Sequence, residues 1–237
     1  MKQDVKTLIL SDNLFIVNSI QELMKNLHLE LDFKCSTVSP LLNHGFTPIS
    51  VKSNIHQLIK GYDLIISAHC NQLFPAELVK SVRCINIHPG LNPFNRGWYP
   101  QVFSILNKMP LGATIHEMDE ELDHGAIICQ KEVPVYVWDT SLSAYERVQE
   151  AEIDLIKKWM PQLISGNYKT YKPENEGNLN LKKDFIALCK IDLEQQQSIG
   201  ETIELLRALS HGDFKNAFFI DEMTGEKIYL RLDVSKN

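Results

Sequence analysis

The sequence predicts an α/β fold: a mostly parallel, twisted sheet flanked by helices, followed by a small C-terminal helix and β-hairpin region. Three observations predict it. Short apolar runs such as "KTLIL", "YDLIISA" and "RCINIH" alternate with stretches of helical periodicity along the first part of the chain. Alternation of this kind builds βαβ units, whose strands lie parallel and are covered on both faces. Further on, the turn-rich "SGNYKTYKPENEGN" ends a long amphipathic pattern, and only one helix and a paired-strand signal follow it.

In chain order, "KTLILSD" is a buried strand ending in Ser11 and Asp12, residues suited to a turn or a helix cap. Ile16, Ile20, Leu23, Met24 and Leu27 then recur at helical spacing. "ELDFKCST" alternates as a second strand, and "PISV" is a short third. Asn54 and Gly61 bracket a short helix as N-cap and C-terminal stop. "YDLIISAHC" is a strand, "PAELVKSV" a helix begun by Pro75, and "RCINIHP" the next strand. "YPQVFSILNK" is a helix, while "LGATIHEMD" and "AIICQKEVPV" are strands joined by "EELDHG". From Ser141 to Ile164, Tyr145, Val148, Ile153, Ile156, Trp159 and Met160 make one apolar face of a long helix. "IGETIELLRALSHG" is the C-terminal helix, and "NAFFIDEMTGEKIYLRLD" the hairpin. The boundary is placed at the turn-rich stretch, giving units 1–165 and 166–237.

Bulk properties narrow the function. The chain has 237 residues, 44% hydrophobic and 23% charged, as in an ordinary folded protein that can bury a core. A net charge of −6 argues against nucleic acid as a partner, since such proteins carry a basic face. No apolar stretch reaches membrane-span length and the start lacks a signal-peptide pattern, so a cytoplasmic protein is expected. Cys35, Cys70, Cys84, Cys129 and Cys189 are scattered without a CxxC pair, which reads as buried free thiols. His28, His44 and His56 read as surface residues, and no motif requires a metal.

The chemistry concentrates in "CINIHPGLNPFNRGWYP", Cys84 to Pro100. Asn86 and His88 stand at i and i+2, so a strand directs both side chains to one face, at the carboxyl end where α/β sheets bind ligands. An amide can donate to a developing oxyanion, and an imidazole can move a proton near neutral pH. Asp123, in the turn before Gly125, supplies a carboxylate that can orient the imidazole or take a proton itself. Each has an ordinary alternative: Asn86 as a turn cap, His88 as a satisfied core histidine, Asp123 as a solvated turn residue. The combination of His-Pro-Gly at one strand end and Leu-Asp-His-Gly after another favours chemistry.

"INIHPG" together with "GATIHEMDEELDHGAII" resembles the folate-dependent formyltransferase family over about residues 1 to 165. That family's pattern is Asn-x-His-Pro-Ser/Gly, then an Asp in a (Leu/Val)-Asp-x-Gly turn, filled here by Asn86, His88 and Asp123. The loop "NPFNRGWYP" and the tail "LRALSHGDFKNAFF" are similar to the nucleotide-sugar N-formyltransferase branch, which acts on dTDP-linked amino sugars. The resemblance implies a Rossmann-like sheet and transfer of a formyl group from 10-formyltetrahydrofolate, without a metal. The acceptor it implies is dTDP-4-amino-4,6-dideoxyglucose, for O-antigen or other surface glycans such as lipopolysaccharide. A dTDP-3-amino sugar, glycinamide ribonucleotide, and a silent sugar-binding module are the alternatives.

The same resemblance implies further residues. Gln72, Leu73 and Phe74 would contact the folate from one side, and Glu120, Leu122 and Asp123 from the other. Leu73 and Phe74 can equally be core residues. Asn92, Arg96, Gly97, Trp98 and Tyr99 form the acceptor-side loop, with Trp98 packing either on a sugar or base or in the core. Lys182, Lys183 and Arg207 are candidates for the pyrophosphate, against the simpler reading of solvated charges. Members of this size are commonly dimers, so the C-terminal region, with Phe218, Phe219 and Tyr229, is expected to hold a homodimer contact or a nucleotide platform. The order of proton transfer between His88 and Asp123 is left open.

Overall fold

The structure is a computed structural model that describes residues 5–236, so the expected unit limits at residues 1 and 237 lie outside it. Its central strands are apolar on both faces. β1 (Thr7–Leu10) is buried along its length, as is β4 (Leu64–Ala68). A strand covered from both sides has no wet face to alternate with, which is why these segments read as continuous apolar runs. Burying each such Leu or Ile contributes roughly 1.5–3 kcal/mol.

The main sheet has the order β3-β2-β1-β4-β5-β7-β8. It also contains β2 (Asp32–Cys35), β3 (Thr47–Pro48), β5 (Arg83–His88), β7 (Leu111–Glu117) and β8 (Ile127–Val133). Pairing is parallel from β3 to β5 and antiparallel from β5 through β7 to β8. α1 (Leu14–Leu27) starts at Asn13, whose side chain accepts from Ile16 N at 3.2 Å. α1, α4 (Pro100–Asn107) and α5 (Ser141–Ser165) bury apolar residues in the larger core with β1, β4, β5 and β7. α2 (Ile55–Gly61) and α3 (Ala76–Ser81) cover the other face through Leu58 and Leu78.

Several details differ from the sequence expectations. β3 stops at Pro48, because Gln72 takes over the next backbone groups, accepting from Val51 N and donating to Ile49 O. Asn54 sits at the N-cap of α2 but does not cap it; its amide donates to Ser50 O at 2.8 Å. All five cysteines are free, with Cys70 half-buried and the others buried. His28, His44 and His56 are exposed. Among the described residues no helix is long and apolar enough to cross a membrane.

The turn-rich stretch after α5 is bonded down along its path. Tyr171 and Ile127 exchange two backbone hydrogen bonds at 2.8 and 2.9 Å, and Tyr171 Oη donates to Gln130 at 2.7 Å. It leads into β9 (Leu179–Asn180), which pairs in parallel with β6 (Arg96–Gly97). An additional helix, α6 (Lys182–Cys189), precedes α7 (Ile199–Leu209) and the hairpin of β10 (Phe218–Ile220) and β11 (Lys227–Tyr229). α7 opens with a capping box between Ser198 and Glu201. Ala208, Leu209 and Ala217 join the larger core, so this region packs onto the sheet domain.

Arg207 departs from its expected place on a solvated face. It is buried, and its guanidinium donates to Tyr136 O, Asp139 O and Glu204, which leaves it unsuited to a pyrophosphate.

Candidate active site

β5 runs between β4 and β7 and delivers Asn86 and His88 at its carboxyl end, with Cys84, Asn86 and His88 alternating onto one face. Asp123 comes from the β7–β8 connection, where its φ of 51° lies in the left-handed region that Asp tolerates. The turn is tight: a Cβ on Gly125 would lie 1.8 Å from Glu117 O, so only glycine fits.

Asp123 is the hub. Its Oδ1 accepts from Asn86 Nδ2 at 2.9 Å, and its Oδ2 accepts from Gly97 N at 3.1 Å. His88 Nδ1 lies 3.6 Å from Oδ2, and His116 Nε2 lies 3.5 Å from Oδ1. Asn92 Nδ2 donates to the Asp123 backbone carbonyl at 2.8 Å, tying the acceptor-side loop to the same turn. His88 and Asp123 are both buried.

The electrostatics suit proton transfer. Burial pulls the His88 imidazole down to about 4, against the pull of Asp123 and assisted by His116 and His69. For Asp123, burial raises the carboxyl, but His88, His116 and the Gly97 N–H outweigh it and hold the group at about 2. At neutral pH the pair is therefore a neutral imidazole beside a carboxylate. Nδ1 faces that carboxylate, and among the described residues His88 Nε2 is buried without a hydrogen-bond partner. A neutral histidine with one nitrogen steered and the other unengaged is arranged as a base.

The expected acceptor-side residues separate into groups. Asn92 and Arg96 line a cleft beside Asp123, together with His124, Lys172, Asn175 and Glu176. Asn92 Oδ1 and Arg96 Nε are buried without partners, and among the described residues no carboxylate pairs with Arg96. Tyr99 packs its ring 4.2 Å from that of Phe185 in α6, and Trp98 lies beside it with Lys182 Nζ 5.1 Å from the indole centre. Lys183 is exposed at the start of the same helix.

On the folate side, Leu73 projects into solvent at 78% exposure and Phe74 is half-buried against the smaller core. Gln72 has its amide engaged by the backbone of Ile49 and Val51. Leu122 is half-buried beside Asp123, and Glu120 is exposed in an ion pair with Lys80.

Of the residues at this site that went unread in the sequence, His116 and Lys172 matter most. His116 stands directly opposite Asn86 in the β5–β7 pairing. A histidine inside the apolar "GATIHE" strand was the available signal. Lys172 reaches the cleft from the turn-rich stretch, and nothing in its local pattern marks it.

A buried imidazole–carboxylate pair with a neighbouring amide, at the carboxyl end of a mostly parallel sheet, is the equipment of an acid–base enzyme. The chain belongs to the formyl transferase family: residues 43–163 match it, and residues 184–236 match the N-formyltransferase dimerization C-terminal domain. It is 42% identical over 225 residues to the dTDP-4-amino-4,6-dideoxyglucose formyltransferase of Mycobacterium tuberculosis, covering 95% of this chain and 94% of that one. The X-ray structure of a sugar N-formyltransferase from Shewanella sp. superposes with a TM-score of 0.95 at 47% identity, over 99% of this chain and all of the other. A more distant match is the formyltransferase PseJ from Anoxybacillus kamchatkensis, solved with UDP-4,6-dideoxy-4-formamido-L-AltNAc and tetrahydrofolate. Its TM-score is 0.57 at 25% identity, over 76% of this chain and 87% of that one.

Proposed function

We propose that this enzyme transfers a formyl group from 10-formyltetrahydrofolate to the 4-amino group of dTDP-4-amino-4,6-dideoxyglucose. The observation that carries the reading is His88, held with Nδ1 toward the ionised Asp123 and Nε2 unengaged, next to the Asn86 amide. Folate supplies the formyl carbon at the oxidation level of an amide. The residues fit such a transfer: beside the Asn86 amide, His88 Nε2 is a buried polar atom without a partner among the described residues, and Leu73 and Leu122 offer apolar surface on the donor side.

In this reading His88 Nε2 would take the proton that the sugar amine loses as its nitrogen bonds to the formyl carbon, and would return it to N10 of the folate as the carbon–N10 bond breaks and tetrahydrofolate leaves. Asp123 holds the His88 ring and stabilises the imidazolium that results, in the way a buried carboxylate supports a histidine base. Asn86, fixed by Asp123, directs its amide at the formyl oxygen, where a preorganised donor is worth about 3 kcal/mol of barrier. Leu73, Phe74 and Leu122 offer apolar surface to the pterin. Gln72 contributes by fixing that loop, and Glu120 contributes charge at its rim.

Arg96 and Lys172 together offer two positive charges for the diphosphate of the acceptor, with Asn92 as a hydrogen-bonding neighbour. Trp98, backed by Tyr99 and Lys182, provides an aromatic face for the sugar or thymine, and Lys183 adds charge at the mouth. The catalytic unit is taken as 1–165 and the C-terminal region as 166–237. Ile186, Ile199, Ile203 and Phe214 are exposed apolar residues of that region, and we assign them to a homodimer contact. The product is assigned to surface-glycan synthesis, O-antigen included, in the cytoplasm.

The test is incubation of purified protein with 10-formyltetrahydrofolate and a panel of dTDP-3-amino and dTDP-4-amino sugars, following folate absorbance and product mass. Formylation of dTDP-4-amino-4,6-dideoxyglucose ahead of the rest is expected. Activity confined to 3-amino sugars or to glycinamide ribonucleotide would overturn the assignment.

A further inference from the structure

Apart from the Asn86–His88–Asp123 group, the interior holds a second histidine–carboxylate pair. Glu152, on α5, is 0% exposed, and both of its carboxylate oxygens face one partner, His69 Nε2, at 2.8 and 2.9 Å. The other ring nitrogen of His69 lies 3.0 Å from Tyr145 Oη, two turns before Glu152 on α5, and Asn13 Nδ2 donates to that hydroxyl at 3.3 Å. Burying a carboxylate in this way is a poor route to stability, because its desolvation offsets most of what the histidine contact returns. Its geometry suggests what it does instead.

His69 is the first residue after β4 and the start of the loop that ends in Leu73 and Phe74. Its backbone is left-handed, with φ 59°, and its carbonyl accepts from Asp12 N at 3.1 Å. Two further anchors follow within the loop, at Asn71 and Gln72. Asn71 N donates to Asp12 Oδ2 at 2.8 Å, that same carboxylate accepts from Ser36, and the Gln72 amide is fixed to the 49–51 backbone. The result is a segment held tightly at its base that offers Leu73 outward.

We infer that His69, clamped between Glu152 and Tyr145, is a positioning residue for the formyl donor: it fixes the backbone of the 69–74 loop in the shape that receives folate. The inference rests on the reading that this loop is the donor side. Tight prior anchoring lets the loop bind without first losing conformational freedom, so loosening it weakens donor binding selectively. The acceptor cleft at Asn92, Arg96 and Lys172 is built from other segments and is unaffected.

Two variants and a probe that needs no turnover test this. Glu152→Gln keeps the shape of the side chain and removes its charge. His69→Asn/Glu152→Leu removes the pair while keeping a residue that tolerates the left-handed backbone and leaving no buried unpaired carboxylate. Folinic acid binding is measured by calorimetry, and KM for donor and acceptor by steady-state kinetics. In both variants the folinic acid Kd and the donor KM are expected to rise at least tenfold, with the acceptor KM within twofold of wild type and the melting temperature of the double variant preserved. A folinic acid Kd within twofold of wild type, or equal increases in both KM values, would overturn the inference. Wild-type protein that binds folinic acid but formylates no amino sugar would instead refute the proposed acceptor. The Kd comparison then still decides the role of His69.

Discussion

Asn86 donates to Asp123 Oδ1 at 2.9 Å, so the amide and the carboxylate are fixed to each other before any substrate arrives. Oδ2 of the same carboxylate is left to face His88 and the Gly97 N–H. One carboxylate thus sets the orientation of both its neighbours.

That arrangement predicts the effect of removing it. Asp123→Asn and His88→Ala are each expected to lower kcat by about 10²- to 10⁴-fold, the usual contribution of positioned acid–base groups. Circular dichroism and melting should indicate an intact fold. Rates near wild type in either variant would refute the assigned roles.

The titration of the pair makes a separate prediction. His88 falls from 6.5 unfolded to about 4 folded, so between those values the unfolded chain binds the extra proton. Its contribution to stability is complete above pH 6.5 and is lost as pH falls toward 4. Asp123, lowered from 3.8 to about 2, extends the loss to still lower pH. Urea denaturation should therefore give a stability decrease of about 3 kcal/mol from His88 between pH 6.5 and 4, a part that His88→Gln removes. An NMR titration placing the His88 imidazole near 6.5 would contradict this.

Arg96 offers a test of binding against stability. It is buried and has no carboxylate partner among the described residues, so Arg96→Met exchanges a costly buried charge for apolar packing. The acceptor KM is expected to rise about tenfold or more, while the donor KM and the melting temperature hold or the latter rises. A variant with unchanged acceptor KM would remove Arg96 from the diphosphate site.

Asn95 predicts a stability effect instead. It is fully buried, its Oδ1 accepts from Asn107, Asn178 and Asn180, and its Nδ2 donates to Ser104. Asn95→Ala strands several of these groups and should cost about 3 kcal/mol by urea denaturation. It should also loosen Gly97, whose φ of 91° and close approach to Asn180 O admit no side chain.

Much of this fold was legible because it is local. The continuous apolar runs of β1, β4 and β5 and the periodic face of α5 are visible in a few neighbouring residues. Asn86, His88 and Asp123 were legible from a spacing and a turn. What escaped was set by distant partners. β6 and β9 are two residues each and exist because the Asn95 cluster draws residues 96 and 180 together. His69 and Glu152 meet across 83 positions, and neither carries a local mark of the other. α6 is short, and its one buried residue, Cys189, gives little periodicity to read.

The stretch from Tyr171 to Asn180 has a practical consequence. A cut after α5 would look natural to anyone exchanging C-terminal regions between relatives, since the composition there reads as a spacer. Such a chimaera would import a foreign Lys172 and Glu176 into the cleft beside Asp123, and a foreign Asn178 against Asn95. Grafts intended to alter assembly alone should therefore be joined after β9, so that the recipient keeps its own cleft wall.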